Sequence, residues 1–265
     1  MKRVFITGAS SGLGEALARE YASRGARLGL LARREASLQQ IVDSLPNPSL
    51  HAIYPVDVND SSALRAAVAD FVQRMGGVDI VIANAGISYG TLTERRADLD
   101  VFERIIRTNL IATATTFAPF IDSMKAQAAA GERGLRLVGI ASVAGIRGLP
   151  GAEAYSASKA AVISYCESLR IELRRHGIRV VTIAPGYIDT PMTQVNDYPM
   201  PFLLPAERFA QRASRVIDAG RSYAVIPWPM RGVSWLLRLL PNWLYDALFA
   251  RAPYKPSLDE QRARR

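Results

Sequence analysis

The chain has very little cysteine and histidine: among its 265 residues are one cysteine, Cys166, and two histidines. A single cysteine excludes an intramolecular disulfide and any metal site built from several cysteines, so we expect no bound metal. It also favours a reducing compartment. No stretch reaches the roughly 18 uninterrupted apolar residues of a spanning helix. The apolar run at residues 4–6 is too short for a secretory signal. We therefore expect a cytoplasmic protein.

Acidic residues are outnumbered, with 33 Lys and Arg against 24 Asp and Glu, a net charge of +9. Such an excess attracts phosphate groups, nucleic acid or anionic lipid, but it does not specify a fold. A nucleic-acid-binding protein is one hypothesis, but the sequence has no helix-turn-helix, zinc-finger or aromatic stacking motif to support it. We expect no nucleic-acid partner. With 49% apolar and 22% charged residues, the composition is typical of a folded globular chain rather than a disordered one.

Short apolar runs alternate with longer amphipathic segments along most of the sequence. Runs without in/out alternation are typical of strands buried on both faces. This alternation predicts an α/β fold of Rossmann type, with a doubly wound parallel sheet of about seven strands and helices on both faces. We predict a single domain over 1–228, followed by an apolar and basic extension over 229–265. The predicted strands are 3–7, 27–32, 52–56, 78–83, 135–141, 178–184 and 223–227.

A glycine-rich turn follows the first predicted strand directly and leads into a helical segment. Gly8, Gly12 and Gly14 have the spacing Gly-x3-Gly-x-Gly. Glycines allow the backbone to approach a phosphate closely, and the following helix N-terminus offers unpaired N–H groups to a pyrophosphate. The triplet alone is a weak signal, because any tight strand-to-helix turn can use glycine.

Two arginines directly follow the second predicted strand, near the place where NAD-binding folds commonly carry a carboxylate for the ribose 2′-hydroxyl. Here Arg33 and Arg34 stand instead. A guanidinium pairs with a 2′-phosphate, whereas a carboxylate repels it. The sequence therefore predicts NADP(H) as the cofactor. The alternative interpretation is a solvated arginine pair on a loop.

A tyrosine and a lysine lie four residues apart in a predicted helix, so that Tyr155 and Lys159 share one face. A phenol titrates near pKa ~10. A nearby ammonium stabilises the phenolate, so we expect Lys159 to lower the pKa of Tyr155 towards the working pH. Ser142 follows the fifth predicted strand and belongs at the carboxyl edge of the sheet, where open α/β folds bind ligands.

With these motifs in place, the chain resembles the short-chain dehydrogenase/reductase family, in its single-domain branch of about 250 residues. The resemblance covers residues 1 to about 190. The matching stretches are 7–14, Asp57-Val58, Asn84-Ala85-Gly86, Asn109, Ser142, Tyr155-x3-Lys159 and Pro185-Gly186.

The resemblance implies roles for these residues. The catalytic set would be Ser142 for the substrate oxygen, Tyr155 as proton donor, Lys159 on the nicotinamide ribose, and Asn109 in a water-mediated proton path. Arg33 is the stronger candidate for the 2′-phosphate. The residue before the second glycine is Ser11, whereas many NADP-using members have a basic residue there. The cofactor-binding set would be Gly8, Ser10, Ser11, Gly12, Leu13, Gly14, Arg33, Arg34, Asp57, Val58, Asn84, Ala85, Gly86, Tyr155, Lys159, Pro185, Gly186, Ile188 and Thr190.

The resemblance also implies a substrate loop over 187–215, and a homodimer or homotetramer formed through segments 98–124 and 155–175. The loop is rich in Met, Pro and aromatic residues. These side chains either contact an apolar substrate or simply pack against the core of the domain. All three tryptophans of the chain lie in the extension or, for Trp228, immediately before it. Its residues 231–265 either contact the inner membrane face as a peripheral surface, or pack on the domain, the substrate cleft or another subunit.

Together these features predict an NADPH-dependent oxidoreductase that transfers a hydride between nicotinamide and a carbonyl or alcohol of a small, apolar substrate. The alternative hypothesis is an NADPH-binding sensor or scaffold protein without turnover. The combination of Ser142, Tyr155 and Lys159 argues against that alternative, because binding alone needs no phenol beside an ammonium.

Overall fold

A seven-stranded parallel sheet with the strand order β3-β2-β1-β4-β5-β6-β9 forms the centre of the protein. A computed structural model describes residues 1–263. The strands are β1 (Arg3–Thr7), β2 (Arg27–Ala32), β3 (Ala52–Pro55), β4 (Ile80–Ala83), β5 (Arg136–Ile140), β6 (Arg179–Pro185), β7 (Ile188–Asp189), β8 (Leu204–Pro205) and β9 (Tyr223–Ile226). Each predicted strand matches a sheet strand to within two residues at either end, which confirms the predicted fold class.

Helices cover both faces of the sheet. They are α1 (Gly12–Ser23), α2 (Glu35–Asp43), α3 (Ser61–Met75), α4 (Asp98–Ile106), α5 (Ala112–Ala129), α6 (Glu153–Arg174), α7 (Ala206–Ala219), α8 (Trp228–Leu239), α9 (Asn242–Phe249) and α10 (Leu258–Ala263). A π-helical turn over Arg107–Ile111 joins α4 to α5. Arg264 and Arg265, at the end of the predicted extension, lie outside the described residues.

The core consists of two apolar layers, one on each face of the sheet. Successive side chains of a strand point to opposite faces, so Val4 and Ile6 of β1 pack in one layer while Phe5 packs in the other. Phe5 meets Phe71 of α3 and Phe120 of α5 with ring centres 5.2 and 5.0 Å apart. Burying each such side chain contributes about 1.5–3 kcal/mol, so this aromatic cluster fixes α3 and α5 on the sheet.

The direction of winding reverses between β1 and β4, which are neighbours in the sheet although β2 and β3 separate them in sequence. Phe5 is paired with Gly29 of β2 on one side and Val81 of β4 on the other. Loops leaving β1 and β4 must turn to opposite faces, which opens a crevice at their carboxyl ends. The glycine turn and Asn84 both lie at this crevice.

A second, two-stranded sheet lies within the predicted substrate loop. Ile188 of β7 pairs with Leu204 of β8, and both side chains are buried. Helix α7 begins immediately afterwards, so the last part of segment 187–215 is helical. Across residues 1–263, none of the helices has the length and apolar character needed to cross a membrane.

Candidate active site

The glycine turn leaves β1 at Thr7 and ends at the N-terminus of α1. Gly12 has a φ of +59°, which L side chains rarely adopt, and a Cβ on Gly14 would overlap the carbonyl oxygen of Gly8. The turn therefore needs glycine at these positions and presents bare backbone N–H groups at the positive end of a helix. That is the environment in which proteins bind phosphate.

Hydrogen bonds tie this turn to the loop after β4. Thr7 Oγ1 accepts from the backbone N–H groups of Asn84 (3.1 Å) and Ala85 (3.2 Å). Asn84 Nδ2 donates in return to the carbonyl oxygens of Thr7 (3.0 Å) and Gly8 (3.2 Å). Of the predicted cofactor-binding residues, Asn84 is thus a link between the two sides of the crevice.

The arginine pair lies beside the turn, as the sequence predicts, but the two side chains have different partners. Arg34 Nη2 donates to Ser10 Oγ (3.1 Å) and Ser11 Oγ (3.0 Å). Arg33 is exposed and lies 3.8 Å from a carboxylate oxygen of Asp57. Arg34 is therefore the arginine held against the glycine turn, whereas Arg33 faces the loop that follows β3.

The loop after β3 places Asp57 and Val58 at the same edge of the sheet. Asp57 Oδ1 accepts from the backbone N–H of Asn59 (2.9 Å) and from its side chain (3.0 Å), which fixes the local turn. Val58 is buried among apolar residues. Farther along this edge, a Cβ on Gly86 would project to 3.2 Å from Asn109 Oδ1 and 3.6 Å from Lys159 Nζ. Bare backbone therefore lines the groove, which fits a dinucleotide.

Ser142, Tyr155 and Lys159 are brought together where β5 ends against α6. Ser142 begins a short turn directly after the strand, and its Oγ accepts from the N–H of Ala144 (3.2 Å). Lys159 is buried; its Nζ donates to the carbonyl oxygen of Ile140 (2.8 Å) and lies 5.8 Å from the ring centre of Tyr155. The predicted shared helix face thus points at the end of β5.

The pKa of Tyr155 differs from what the sequence predicts. Burial raises the pKa of Tyr155, and interaction with the Ser142 hydroxyl lowers it only in part. Burial also lowers the pKa of Lys159 to about 8. The expected net lowering of the Tyr155 pKa is therefore not found in this structure, because the expectation considered the nearby ammonium and left out desolvation.

Asn109 occupies the π-helical turn between α4 and α5 and connects three elements. Its Oδ1 accepts from the N–H of Ile87 (2.8 Å), and its Nδ2 donates to Ile87 O (3.0 Å) and Ser158 Oγ (2.9 Å). Ser158 Oγ in turn donates to the carbonyl oxygen of Tyr155 (2.7 Å). Asn109 therefore positions the groove loop and the helix turn that carries Tyr155.

Residues 2–199 match the family model described as short chain dehydrogenase. The chain belongs to this family. It is 36% identical over 252 residues to an uncharacterized oxidoreductase of Myxococcus xanthus (strain DK1622), an alignment that covers 94% of this chain and 97% of the relative. It is 33% identical over 258 residues to the 11-beta-hydroxysteroid dehydrogenase-like 4A of Arabidopsis thaliana, covering 92% and 82%.

A solved structure supports the same placement. The 3-ketoacyl-(acyl-carrier-protein) reductase of Brucella melitensis, complexed with NADH, superposes with a TM-score of 0.77 at 27% identity, covering 84% of this chain and 94% of that one. The resemblance to the family is therefore confirmed, and this short-chain dehydrogenase is an oxidoreductase whose structural neighbour binds a nicotinamide cofactor. The individual site residues, the choice of NADP(H) and the substrate stay predictions.

The substrate loop of this short-chain dehydrogenase starts where β6 ends. Gly186 donates its N–H to Ile226 O (2.8 Å) after Pro185, and Ile188 enters β7. Thr190 faces the glycine turn, since a Cβ on Gly12 would lie 3.4 Å from its side chain. Of these four predicted residues, Thr190 is the one that lies against the glycine turn, while Ile188 is buried in the core.

The C-terminal segment lies beside the candidate active site, which agrees with the interpretation that the extension packs at the substrate cleft, but sequence reasoning did not single out Lys255. Lys255 Nζ lies 5.9 Å from the ring centre of Tyr155 and donates to Met192 O at 3.4 Å. Burial lowers the pKa of Lys255 to about 8. The pattern Ser257-x-x-Glu260 is a recognisable helix-start signal, but nothing in it indicates where the helix docks.

Helices α8 and α9 pack on the domain with one face and expose the other. Arg147 lies over the ring of Tyr245 and donates to backbone carbonyls near the end of α8, including Leu240 O (2.7 Å). The outer face carries Trp235, Trp243 and Leu239, which are 67%, 72% and 59% exposed. The packed face agrees with the interpretation that the extension packs on the domain. The contact of the exposed side chains with a membrane stays a prediction.

Proposed function

We propose that this short-chain dehydrogenase is an NADPH-dependent oxidoreductase acting on the carbonyl or alcohol group of an apolar substrate. The bound cofactor supplies or accepts the hydride. The observation that carries the proposal is the Tyr155 phenol, placed beside Ser142 and Lys159 at the crevice where the sheet reverses direction. A group that can give up a proton there has the position needed to complete hydride transfer to a carbonyl carbon.

In this proposal each polar group of the site has one task. Ser142 Oγ accepts from Ala144 N–H and interacts with the Tyr155 phenol, and its proton would turn to the substrate oxygen when a substrate enters between them. Tyr155 passes its phenolic proton to that oxygen as the alcohol forms, and takes it back in the reverse reaction. The Lys159 ammonium stabilises the phenolate left behind and, on the family resemblance, would bind the ribose hydroxyls of the nicotinamide.

The preference for NADP(H) rests on the arginine pair. Arg34 lies against Ser10 and Ser11 of the glycine turn, and Arg33 lies across the same opening near Asp57. Two guanidinium groups at this end of the crevice favour a 2′-phosphate over a free hydroxyl. The choice of an apolar substrate rests on the exposed side chains of the substrate loop, Met192, Phe202 and Leu203.

Replacement of Tyr155 tests the reaction and discriminates it from the sensor or scaffold hypothesis. A panel of ketones, aldehydes and alcohols of graded chain length is assayed by NADPH absorbance. We expect turnover by the wild type and a roughly 10²–10⁴-fold lower kcat for Tyr155→Phe, because the phenolic proton is lost. Tyr165→Phe, on the same helix, is the matched control. Turnover retained by Tyr155→Phe would remove the proton-donor role, and a wild type that binds NADPH without turnover would favour the sensor.

We further propose that the protein is cytoplasmic, forms a homodimer or homotetramer through α4, α5 and α6, and contacts the inner membrane face through residues 231–265. The membrane contact is supported by the exposed apolar side chains of α8 and α9, near which Arg231, Arg238 and Arg251 lie in the sequence. Tryptophan, leucine and arginine on one surface suit the interface of an anionic bilayer. Sedimentation analysis tests the oligomer.

A further inference from the structure

The C-terminal segment fits closely against the entrance of the active site. Gly90 N–H donates to Pro256 O at 2.9 Å, and a Cβ on Gly90 would overlap the carbonyl oxygen of Lys255. A Cβ on Gly151 would lie 2.6 Å from the ring of Tyr254. The absence of a side chain at both glycines therefore allows residues 254–256 to pack against them, beside the helix turn that carries Tyr155.

The same segment is held in place from its C-terminal side by α10. Ser257 and Glu260 form a reciprocal capping box: the Ser257 N–H donates to Glu260 Oε2 (2.8 Å), and the Glu260 N–H donates to Ser257 Oγ (3.3 Å). Gln261 is buried, and its Nε2 donates to Pro256 O (2.9 Å) and Ser88 O (3.5 Å). The position of Lys255 is thus defined by contacts on both sides of it.

Two lysines lie at nearly equal distances from the Tyr155 ring, but their hydrogen bonds differ. Lys159 Nζ, 5.8 Å from the ring centre, has a short bond of 2.8 Å to Ile140 O. Lys255 Nζ, 5.9 Å from the ring centre, has only a long contact of 3.4 Å to Met192 O among the hydrogen bonds of residues 1–263. None of the ion pairs among those residues includes Lys255. Its ammonium therefore keeps donors available beside Tyr155.

We propose that Lys255 is a substrate-binding residue that pairs with a carboxylate of the substrate, so that the preferred substrates are apolar oxo acids or the corresponding hydroxy acids. This inference rests on the proposed reaction, since Tyr155 marks the position of the reacting oxygen. The Lys255 ammonium is partly withdrawn from water and has no counter-ion among residues 1–263, and a substrate carboxylate would supply one through a charge-assisted hydrogen bond. The apolar part of the substrate would lie along Met192 and its neighbours in the loop.

Matched substrate pairs test the proposal. The value of kcat/KM is measured with NADPH for a straight-chain oxo acid and for its methyl ester. We expect the wild type to prefer the acid by about tenfold or more, because the ester offers no charge to Lys255. Lys255→Met should remove most of this preference, while Lys255→Arg should retain much of it. The exposed residue Lys125, which pairs with Asp122 on α5, provides the control variant Lys125→Met, which should keep the wild-type ratio.

A binding measurement keeps the test independent of turnover. Calorimetry with a straight-chain alkanoate and its methyl ester should give tighter binding of the alkanoate to the wild type, and about tenfold weaker alkanoate binding to Lys255→Met. Thermal unfolding and NADPH affinity of each variant report on folding. The proposal is overturned if the wild type prefers the ester, if neither probe binds, or if Lys255→Met lowers acid and ester turnover by one common factor. Turnover of neutral ketones alone would leave the reductase intact while removing this role of Lys255.

Discussion

Single side chains at the crevice differ in what holds them, and this decides what each can bind. Arg34 is restrained by two serine hydroxyls of the glycine turn, whereas Arg33 has one long ion pair and extends into solvent. A restrained guanidinium loses less conformational entropy on meeting a phosphate than a free one. For this reason Arg34, rather than Arg33 as the sequence suggested, is our first choice for the 2′-phosphate.

Substitution of the arginines tests the preference for NADPH. We expect Arg34→Ala to raise the Kd of NADPH roughly tenfold to a hundredfold, because a charged hydrogen bond is worth about 1.5–3 kcal/mol. Arg33→Asp should also weaken NADPH selectively, and neither variant should weaken NADH. Fluorescence titration measures both cofactors. Arg212→Ala, an exposed arginine on α7, is the control. Tighter binding of NADH than NADPH by the wild type would contradict the assignment.

At the same scale, the limits of sequence reasoning have a physical cause. The i, i+4 spacing places Tyr155 and Lys159 on one face because helix geometry alone decides that. The pKa of Tyr155 depends on how far the phenol is buried, which spacing does not report. Lys255 is a hundred residues from Tyr155 along the chain, and only the packing of the C-terminal segment on Gly90 and Gly151 brings them together.

Among the elements, the seven long strands were predictable and the short ones were not. Continuous runs of Val, Ile and Leu indicate strands whose two faces are both buried, so this pattern predicts β1 to β6 and β9. Strands β7 and β8 have two residues each, one with Asp189 and the other with Pro205, and carry no run to detect. The π-helical turn over Arg107–Ile111 likewise has no signature, although such turns are often found at functional sites.

The π-helical turn predicts a positioning role for Asn109. We expect Asn109→Ala to lower the free energy of unfolding by about 1–3 kcal/mol, since its buried hydrogen-bond partners at Ile87 are left unsatisfied. We also expect weaker NADPH binding, since Ile87 directly follows the 84–86 loop at the groove. Urea unfolding and fluorescence titration measure the two effects.

The control for that experiment is Thr115→Ala on α5, whose hydroxyl donates only to carbonyls of its own helix region, Ile111 and Ala112. It should resemble the wild type in both measurements. If Asn109→Ala loses turnover while stability and NADPH affinity stay unchanged, the residue acts in the proton path that the family resemblance implies, rather than by positioning.

At the scale of the whole molecule, the proposed membrane contact combines two features, the charge of +9 and the exposed apolar side chains of α8 and α9. A positive protein accumulates at an anionic surface through long-range attraction, which salt screens. Apolar side chains then hold it there by burial, which salt does not weaken. Positive charge alone would also suit nucleic acid, and an apolar surface alone would also suit a second subunit. The combination of the two favours a lipid surface.

Flotation with liposomes tests this surface. We expect the wild type to float with anionic vesicles and not with neutral ones, and to be partly released at about 1 M salt. The double variant Trp235→Ser, Leu239→Ser should reduce the bound fraction roughly threefold or more. Ile171→Ser, an exposed apolar residue on α6, should not. Wild-type protein that stays at the bottom of the gradient with every vesicle would remove the membrane contact.

The docking of α10 against Ser88 and Pro256 bears on how the protein is handled and how it is made. An affinity tag fused behind residue 265 would lie within a few residues of the helix whose Gln261 contacts Ser88 O, so a tag at the amino terminus is the safer choice for any assay. Every strand of the nucleotide-binding sheet precedes Lys255 along the chain, so during synthesis the sheet emerges from the ribosome before the residue that we propose contacts the substrate.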